Sequence, residues 1–366
     1  MAYDRAMVTI GFSISTLRRC GPVILLRDLL AGLDRSRFAP AIFTLSPEPE
    51  DSLLAAFHAL DIPVEQAGLG RGAGMAGLIP AWRRFLKRHR PRIMHSHCLR
   101  SDALNALLTR QARRVCTIHN DPPLEYAFRF GPLPGRGLAR LHMRLVRDFD
   151  AICCVSKAVR DRLAENGARN AQILRNGIDT ARFRPACEEE KRALRHRLGL
   201  PQDARILLSA GILAPRKDPL ALIDAFTALG RQGCLLVMLG DGPLAAACRA
   251  AATPVILLPG QVAHPEDYYR TADLYVSASQ AEGLPLAVLE ALACGLPACL
   301  SPIPPHAEAA SLLPGRARLF QPGRLAEALA RMLDDGPPRL ETLPTDALSA
   351  TAMARKYQAL YERLAE

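Results

Sequence analysis

Short apolar runs alternate with amphipathic stretches twice over along this chain, and that rhythm narrows the fold more than any single residue does. Strand-like runs fall at Met7–Phe12, Ala41–Leu45, Arg92–His95, Val115–His119, Ala151–Val155 and Gln172–Leu174. Helix candidates lie between them, among them Pro22–Leu33, Ser52–Leu60, Ser101–Gln111 and Lys157–Glu165. A second set begins at Ala204, with strand-like runs at Arg205–Ala210, Cys234–Leu239, Val255–Leu258, Asp273–Ala278 and Pro297–Ser301. Strands that alternate with helices build parallel sheets covered on both faces, the α/β class. Ligands in such sheets bind beyond the carboxyl ends of the strands, so the loops after each strand carry the functional question. At 366 residues the chain is long enough for two such domains. Its 49% hydrophobic and 23% charged residues fit a globular protein rather than a disordered one.

The most specific stretch is Ser277–Ser301, SASQAEGLPLAVLEALACGLPACLS. Glu282 and Glu290 have seven residues between them and flank a Gly-Leu-Pro-Leu turn. Gly283 permits tight backbone geometry, and Pro285 suits a first helical turn, where its missing N–H is no loss. Leu286, Leu289, Leu292 and Ala293 then give an apolar helical face. The N-terminus of that helix is a ready site for an anion. Carboxylates that accept from sugar hydroxyls beside a phosphate-binding helix end would suit a nucleotide-sugar. A plainer reading stays open, with Glu282 as a helix cap and Glu290 as a solvated surface group.

Two cations, Arg216 and Lys217, follow the first strand of the second set and could neutralise a diphosphate or stand as a solvated pair. Earlier in the chain, Gly21 and Pro22 open a helix after Arg18-Arg19-Cys20, either as a second phosphate-facing end or as an ordinary helix start. Histidines close two strand runs, in His95-Ser96-His97 and in Thr117-Ile118-His119-Asn120. A lone His is more often structural than catalytic, and no third ligand at zinc spacing accompanies these.

The formal charge of +11, with Arg far exceeding Lys, favours an anionic partner: nucleotide phosphates, a lipid pyrophosphate, an acidic membrane surface or nucleic acid. No groove-reading or base-stacking motif supports nucleic acid. Met75–Arg92 carries Trp82 and Phe85 among basic residues, and Tyr126–Arg147 interleaves aromatics and arginines around what reads as a Gly/Pro-rich loop. Either could lie on an anionic bilayer; for the first, a solvated face on an ordinary packed helix is the favoured reading. No apolar run reaches the ~20 residues that cross a membrane. The opening MAYDRAMVTIGF carries an acid and enters a strand, unlike a signal peptide. Ten scattered cysteines without C-x-x-C spacing read as thiols in a reducing cytosol, not as a disulfide frame or zinc site.

From Met7 to Glu308 the chain resembles glycosyltransferase family 4, retaining transferases of the GT-B fold. The Ser277–Ser301 string is similar to the family's E-x7-E signature, including Gly-Leu-Pro and the trailing Glu-Ala-Leu-Ala-Cys-Gly-Leu-Pro. Asn176–Pro185 resembles its N-G-x-D-x-x-x-F-x-P linker, and Gly240–Pro243 its G-D-G-P turn. The histidine-bearing strands resemble its H-x-H and T-x-H pair, and Lys217 fits its phosphate-loop lysine. Departures are Cys20 in place of a loop glycine, Ile212 in place of an arginine, and the proline-rich Pro302–Glu308 in place of a glycine-rich loop.

The resemblance implies two doubly wound Rossmann-like domains facing each other across a cleft. Residues 1–181 would form the acceptor side and 182–345 the nucleotide-sugar side, with 346–366 a helix crossing back to the first domain. The implied reaction is a retaining transfer of a hexose or N-acetylhexosamine from a nucleoside diphosphate sugar, UDP by the family's commonest donors. The acceptor would be a lipid-linked or cell-surface glycan. Glu282 would orient the donor sugar and Glu290 the ribose, while the backbone of Gly283, Leu284 and Leu286 faces sugar and phosphates. Arg216 and Lys217 would stabilise the departing diphosphate, Val262 would touch the base, and the loop at Gly21 would approach the donor phosphates. His119 would contact the sugar, with His97 and Asn120 toward the acceptor. No D-x-D string points to a metal, so no metal and no cofactor beyond the donor substrate are expected. The implied location is cytoplasmic, with peripheral contact to the inner membrane face. Two other readings remain, a nucleotide-sugar 2-epimerase of the same architecture and a non-catalytic basic module for membranes or anions.

Overall fold

A computed structural model describes residues 7–70, 75–335 and 345–366. The first six residues, on which the leader expectation partly falls, lie outside this set. The chain divides into two compact units, one of Met1–Gly177 with Ala350–Glu366, the other of Ile178–Ser349. The second unit is thus one continuous insertion between the body of the first and its last helix. Its entry and exit run side by side, with the Ile178 amide donating to the Leu348 carbonyl at 2.8 Å.

Unit 1 holds seven parallel strands: β1 (Val8–Ile14), β2 (Phe38–Thr44), β3 (Val64–Gln66), β4 (Ile93–His97), β5 (Arg113–Ile118), β6 (Ala151–Cys154) and β7 (Ala171–Ile173). Their order is β3-β2-β1-β4-β5-β6-β7. Unit 2 repeats the plan with β8 (Arg205–Ala210), β9 (Cys234–Leu239), β10 (Ile256–Gly260), β11 (Leu274–Ser277), β12 (Ala298–Leu300) and β13 (Ala317–Leu319), ordered β10-β9-β8-β11-β12-β13. In each sheet the chain starts in the middle, winds outward, then returns to the middle and winds the other way. That leaves a crevice at the carboxyl ends of β1 and β4, and another at those of β8 and β11. The fold is GT-B, built of two Rossmann-like domains.

The central strands are apolar on both faces because helices cover both; all six residues of β9 are buried. One face of the first sheet packs Leu25, Leu26 and Leu29 of the helix Gly21–Ala31 together with Met353, Tyr357 and Tyr361 of the helix Ala350–Ala365. The other face packs Trp82 and Phe85 of the helix Leu78–His89 against Phe43 and Met94. Those two aromatics are fully buried, so of the two readings of this stretch the packed helix holds and the membrane-resting one does not: Phe43 meets Trp82 edge-on at 5.6 Å and Phe85 at 5.3 Å. Only the basic side of that helix meets solvent.

Three further differences have local causes. Tyr126–Arg147 is not a loop but two helices, Pro122–Phe130 and Pro132–Val146, turning at Gly131 with φ +86. Its prolines sit in the first helical turns, where they are compatible with helix, and a Cβ on Gly135 would lie 2.5 Å from the Ala127 nitrogen. The charged helix Glu188–Arg197 is not wholly a surface element. Its Arg195 is buried and donates to the carbonyls of Thr271 and Ala204 and to Asp273. The short edge strands β3 and β13 carry too few apolar residues to be read as strands. All ten cysteines are free, seven of them buried.

Candidate active site

The crevice of unit 2 assembles the strongest cluster. After β8 the chain runs through Gly211 into a short 3-10 turn, Pro215–Lys217, and Asp218 at φ 49 redirects it into the helix Pro219–Leu229. After β11 it runs through Ser279 to Glu282 and enters the helix Leu286–Ala293, with Pro285 as N-cap. The two loops are laced together: the Gln280 amide donates to the Arg216 carbonyl at 2.8 Å, and the Gln280 side chain donates to Asp218 at 2.6 Å. Glu282, only 6% exposed, takes a bond from Lys217 on one oxygen and from Arg216 on the other at 3.3 Å. Burial alone would push its carboxyl up, but Lys217 and Arg216 outweigh it and hold the group below the ordinary carboxylate range. A buried, ionised acid between two cations therefore sits at the switch point of this sheet.

The G-D-G-P turn shapes this loop from behind. A Cβ on Gly240 would lie 2.0 Å from the Gly211 carbonyl oxygen, and one on Gly242 would lie 2.5 Å from that of Leu213. Backbone lies directly on backbone there, which only glycine allows. Under Glu282 is a buried polar group that the sequence reading missed. Ser277 and Ser279 hydroxyls are 3.0 Å apart, and His306 contacts Ser301 at 2.9 Å through Nδ1 and Ser277 at 3.5 Å through Nε2. Burial lowers His306 to about 4, against a raising influence from Glu282. Its only sequence signal was the proline-rich Pro302–Glu308, which marked a departure and not a role.

Glu290 lies further along the helix, half-buried, beside the buried phenol of Tyr269. Arg182 feels its charge, pairs with Glu266 at 2.6 Å and donates to the Ala263 carbonyl. Arg182 thus ties the loop containing Val262, which is half-buried after β10, to the neighbourhood of Glu290. No sequence signal singled it out. The aromatic train Phe183, Tyr269 and Tyr275 supports this side, with rings 5.5 and 5.9 Å apart. Gly283 and Leu284 are buried, and the Leu286 amide is one of the first-turn donors that the helix itself leaves unused.

In unit 1 the crevice lies where Gly21 opens its helix after β1 and where β4 ends at His97. His97 Nδ1 and His119 Nε2 are 2.9 Å apart, and the rings of His95, His97 and His119 form a stack with centroids at 4.6 and 5.1 Å. His95 is fixed by Tyr361 at 2.7 Å and Thr117 at 2.8 Å. Burial lowers His119 to about 4 and His95 to about 3, so the stack is uncharged at neutral pH. The buried Nε2 of His97 has no hydrogen-bond partner. Next to it Cys98 is held at φ 74, ψ 151, a region that essentially only glycine enters. An orphaned polar atom and backbone strain at one strand end are features that cluster at functional sites. Asn120 turns away from the stack, its amide donating to Glu125 at 3.3 Å. Among the described residues no three His, Cys, Asp or Glu side chains gather as a metal site.

Residues 21–182 match the family described as Glycosyltransferase Family 4, and residues 190–343 match Glycosyl transferases group 1. The chain belongs to glycosyltransferase family 4. Among its relatives in the family, it is 32% identical over 218 residues to the D-inositol 3-phosphate glycosyltransferase of Thermobispora bispora, covering 53% of this chain and 49% of that protein. It is 31% identical over 164 residues to the alpha-monoglucosyldiacylglycerol synthase of Streptococcus pneumoniae, covering 42% of this chain and 37% of that one. The matched stretches span 52%, 37% and 49% of the first three curated relatives' own lengths. In structure the family-4 chain is similar to Anabaena HepE, crystallised with UDP and glucose, at a TM-score of 0.75 and 18% identity over 98% of this chain and 96% of that one.

Proposed function

We propose that this family-4 chain transfers a hexose or N-acetylhexosamine from a UDP-sugar to a lipid-linked or cell-surface glycan, with retention at the anomeric carbon. The observation that carries the reading is Glu282, buried and held ionised by Lys217 and Arg216 at the switch point of the second sheet. Its carboxylate would orient the sugar through ring hydroxyls. The cations would stabilise the diphosphate as the bond from the anomeric carbon to the phosphate oxygen breaks. The acceptor oxygen bonds to that carbon on the face the phosphate leaves, and its proton passes to the departing phosphate. No carboxylate nucleophile is needed, unlike in glycosidases with paired acids. Glu290 would hold the ribose, the Val262 loop the base, and the backbone of Gly283, Leu284 and Leu286 the sugar and phosphates. On unit 1, the loop at Gly21 would face the donor phosphates, His119 the sugar, and His97 and Asn120 the acceptor side. A lipid acceptor is favoured by the S. pneumoniae relative, whose name denotes a glycolipid synthase.

A panel of nucleotide-sugars read by thermal shift tests this. UDP and one UDP-sugar should raise the unfolding temperature, and Glu290→Ala should lose much of that rise. No response to any uridine nucleotide would refute the donor assignment. Two fixed cations at the diphosphate supply the positive charge that a divalent ion supplies elsewhere, so turnover should survive EDTA unchanged. A rate restored only by added Mg²⁺ or Mn²⁺ would contradict that part.

A further inference from the structure

We propose that His306 is a positioning residue for Glu282, acting through a closed ring of hydrogen bonds that fixes the chain at Ser279. The ring joins four side chains, Ser277, Ser279, Ser301 and His306, all of them buried. They come from the end of β11, the loop after it, the residue that follows β12 and the first turn of the helix Pro304–Leu312. Glu282 follows Ser279 by three residues. It is near enough to His306 for each group to influence the other's ionisation.

Counting hydrogens gives the ring a direction. The Ser301 hydroxyl donates its one hydrogen to the Ser279 carbonyl. His306 Nδ1 lies 2.9 Å from that same hydroxyl oxygen and 3.1 Å from the Ser301 carbonyl oxygen. A carbonyl only accepts, and the hydroxyl hydrogen is already placed, so Nδ1 must carry a hydrogen. Burial lowers His306 to about 4, so at neutral pH the imidazole holds that one proton and Nε2 is bare. Nε2 then accepts from the Ser277 hydroxyl at 3.5 Å, and Ser277 accepts from the Ser279 hydroxyl at 3.0 Å. Each hydrogen is used within the ring, which begins and ends on Ser279.

The ring is anchored where the chain has little freedom. Pro304 and Pro305 fix φ in the first helical turn, and the His306 amide donates to the Ile303 carbonyl at 3.0 Å. Just after Ser279, the amide and side chain of Gln280 tie the loop to Arg216 and Asp218. Glu282 is thus delivered by a segment held on both sides. A carboxylate that meets sugar hydroxyls in the transition state loses rate when its backbone shifts by about 1 Å. On the reading that Glu282 orients the donor sugar, on which this role rests, the ring sets turnover and not donor affinity. A ring that served packing alone would set neither.

Two substitutions with opposite demands separate hydrogen bonding from packing. His306→Leu keeps the bulk and removes both nitrogens; it should lower kcat about tenfold or more with the donor KM within about threefold. His306→Asn gives up bulk but keeps an N–H where Nδ1–H stood, and its kcat should stay within about threefold of the wild type. Ser301→Ala, which removes the donor to Ser279, should reproduce the Leu loss, and the two changes together should cost little more than either alone. Nitrogen-15 spectra of the full chain give a readout that does not depend on turnover or on the folding of the Leu variant. With the His306 signals assigned by their absence in His306→Asn, they should show Nδ1 protonated and Nε2 bare. A proton on Nε2 instead, wild-type kcat in His306→Leu, a loss in KM alone, or an Asn variant no better than Leu would overturn the role. Glu282→Gln in the same assay keeps the donor reading apart. Its turnover at the wild-type rate would fail that reading and this role with it, whereas its loss beside unimpaired ring variants would fail the positioning role alone.

Discussion

At Glu282 two opposing effects of similar kind are balanced: removal from water favours the neutral acid, and two adjacent cations favour the anion. The cations win, and Lys217 is the larger of the two influences. Lys217→Met should therefore lower turnover about 10²-fold, the usual loss when one charge-stabilising group is removed from a reacting centre. It should also move the acid limb of the pH–rate profile upward, because burial would then act on Glu282 without its largest opposing charge. A lower rate with an unmoved acid limb would mean that Lys217 does not set the ionisation of Glu282. His306 bears on the same residue from below, where its only role in view is to hold Ser301 and Ser277.

Among the elements, the turn Gly240–Pro243 acts as a floor for the loop Gly211–Lys217. Gly240 combines φ +123 with a contact that no Cβ can enter. Gly240→Ala should destabilise unit 2 by about 2 kcal/mol or more, measured by chemical denaturation, and weaken the UDP-induced shift. Trp82→Ala, inside the first core, should lose about 3–5 kcal/mol of stability, measured by chemical denaturation. The central elements were legible because their periodicity is strong: β8, β9, β11 and the helix after Glu282 begin and end within a few residues of the expected places. Less was legible where a residue's meaning depends on distant neighbours. Trp82 and Phe85 have the same spacing whether they face lipid or Phe43, and only the sheet decides. The prolines and glycines of Tyr126–Arg147 favour a loop locally, yet two helix starts and a close crossing at Gly135 use the same residues. In the candidate site, Glu282, Arg216 and Lys217 could be read from adjacent motifs. His306, Ser279 and Arg182 could not, since their partners come from separate strands and loops.

For the molecule as a whole, four histidines whose proton uptake is suppressed by their surroundings shape the response to acid. Burial lowers His119 and His306 to about 4 and His95 to about 3, with His97 also well below its ordinary 6.5. The unfolded chain takes up protons near pH 6.5 that the native chain refuses until about pH 4, so stability rises with pH across that window and is lost as pH falls through it. Glu282, lowered in the native state, acts in the same direction at the acid end, its contribution lost as pH falls through its native value. Calorimetry from pH 7.5 to about 4 should show a steep fall in unfolding temperature, made shallower by His306→Asn; a flat profile would mean these rings are solvated. The account turns most directly on one comparison, the rate of UDP release from a UDP-sugar in the presence of acceptor for the wild type and for Glu282→Gln. It predicts a loss of about 10³-fold in the variant with UDP binding largely kept, and transfer at the wild-type rate would contradict it.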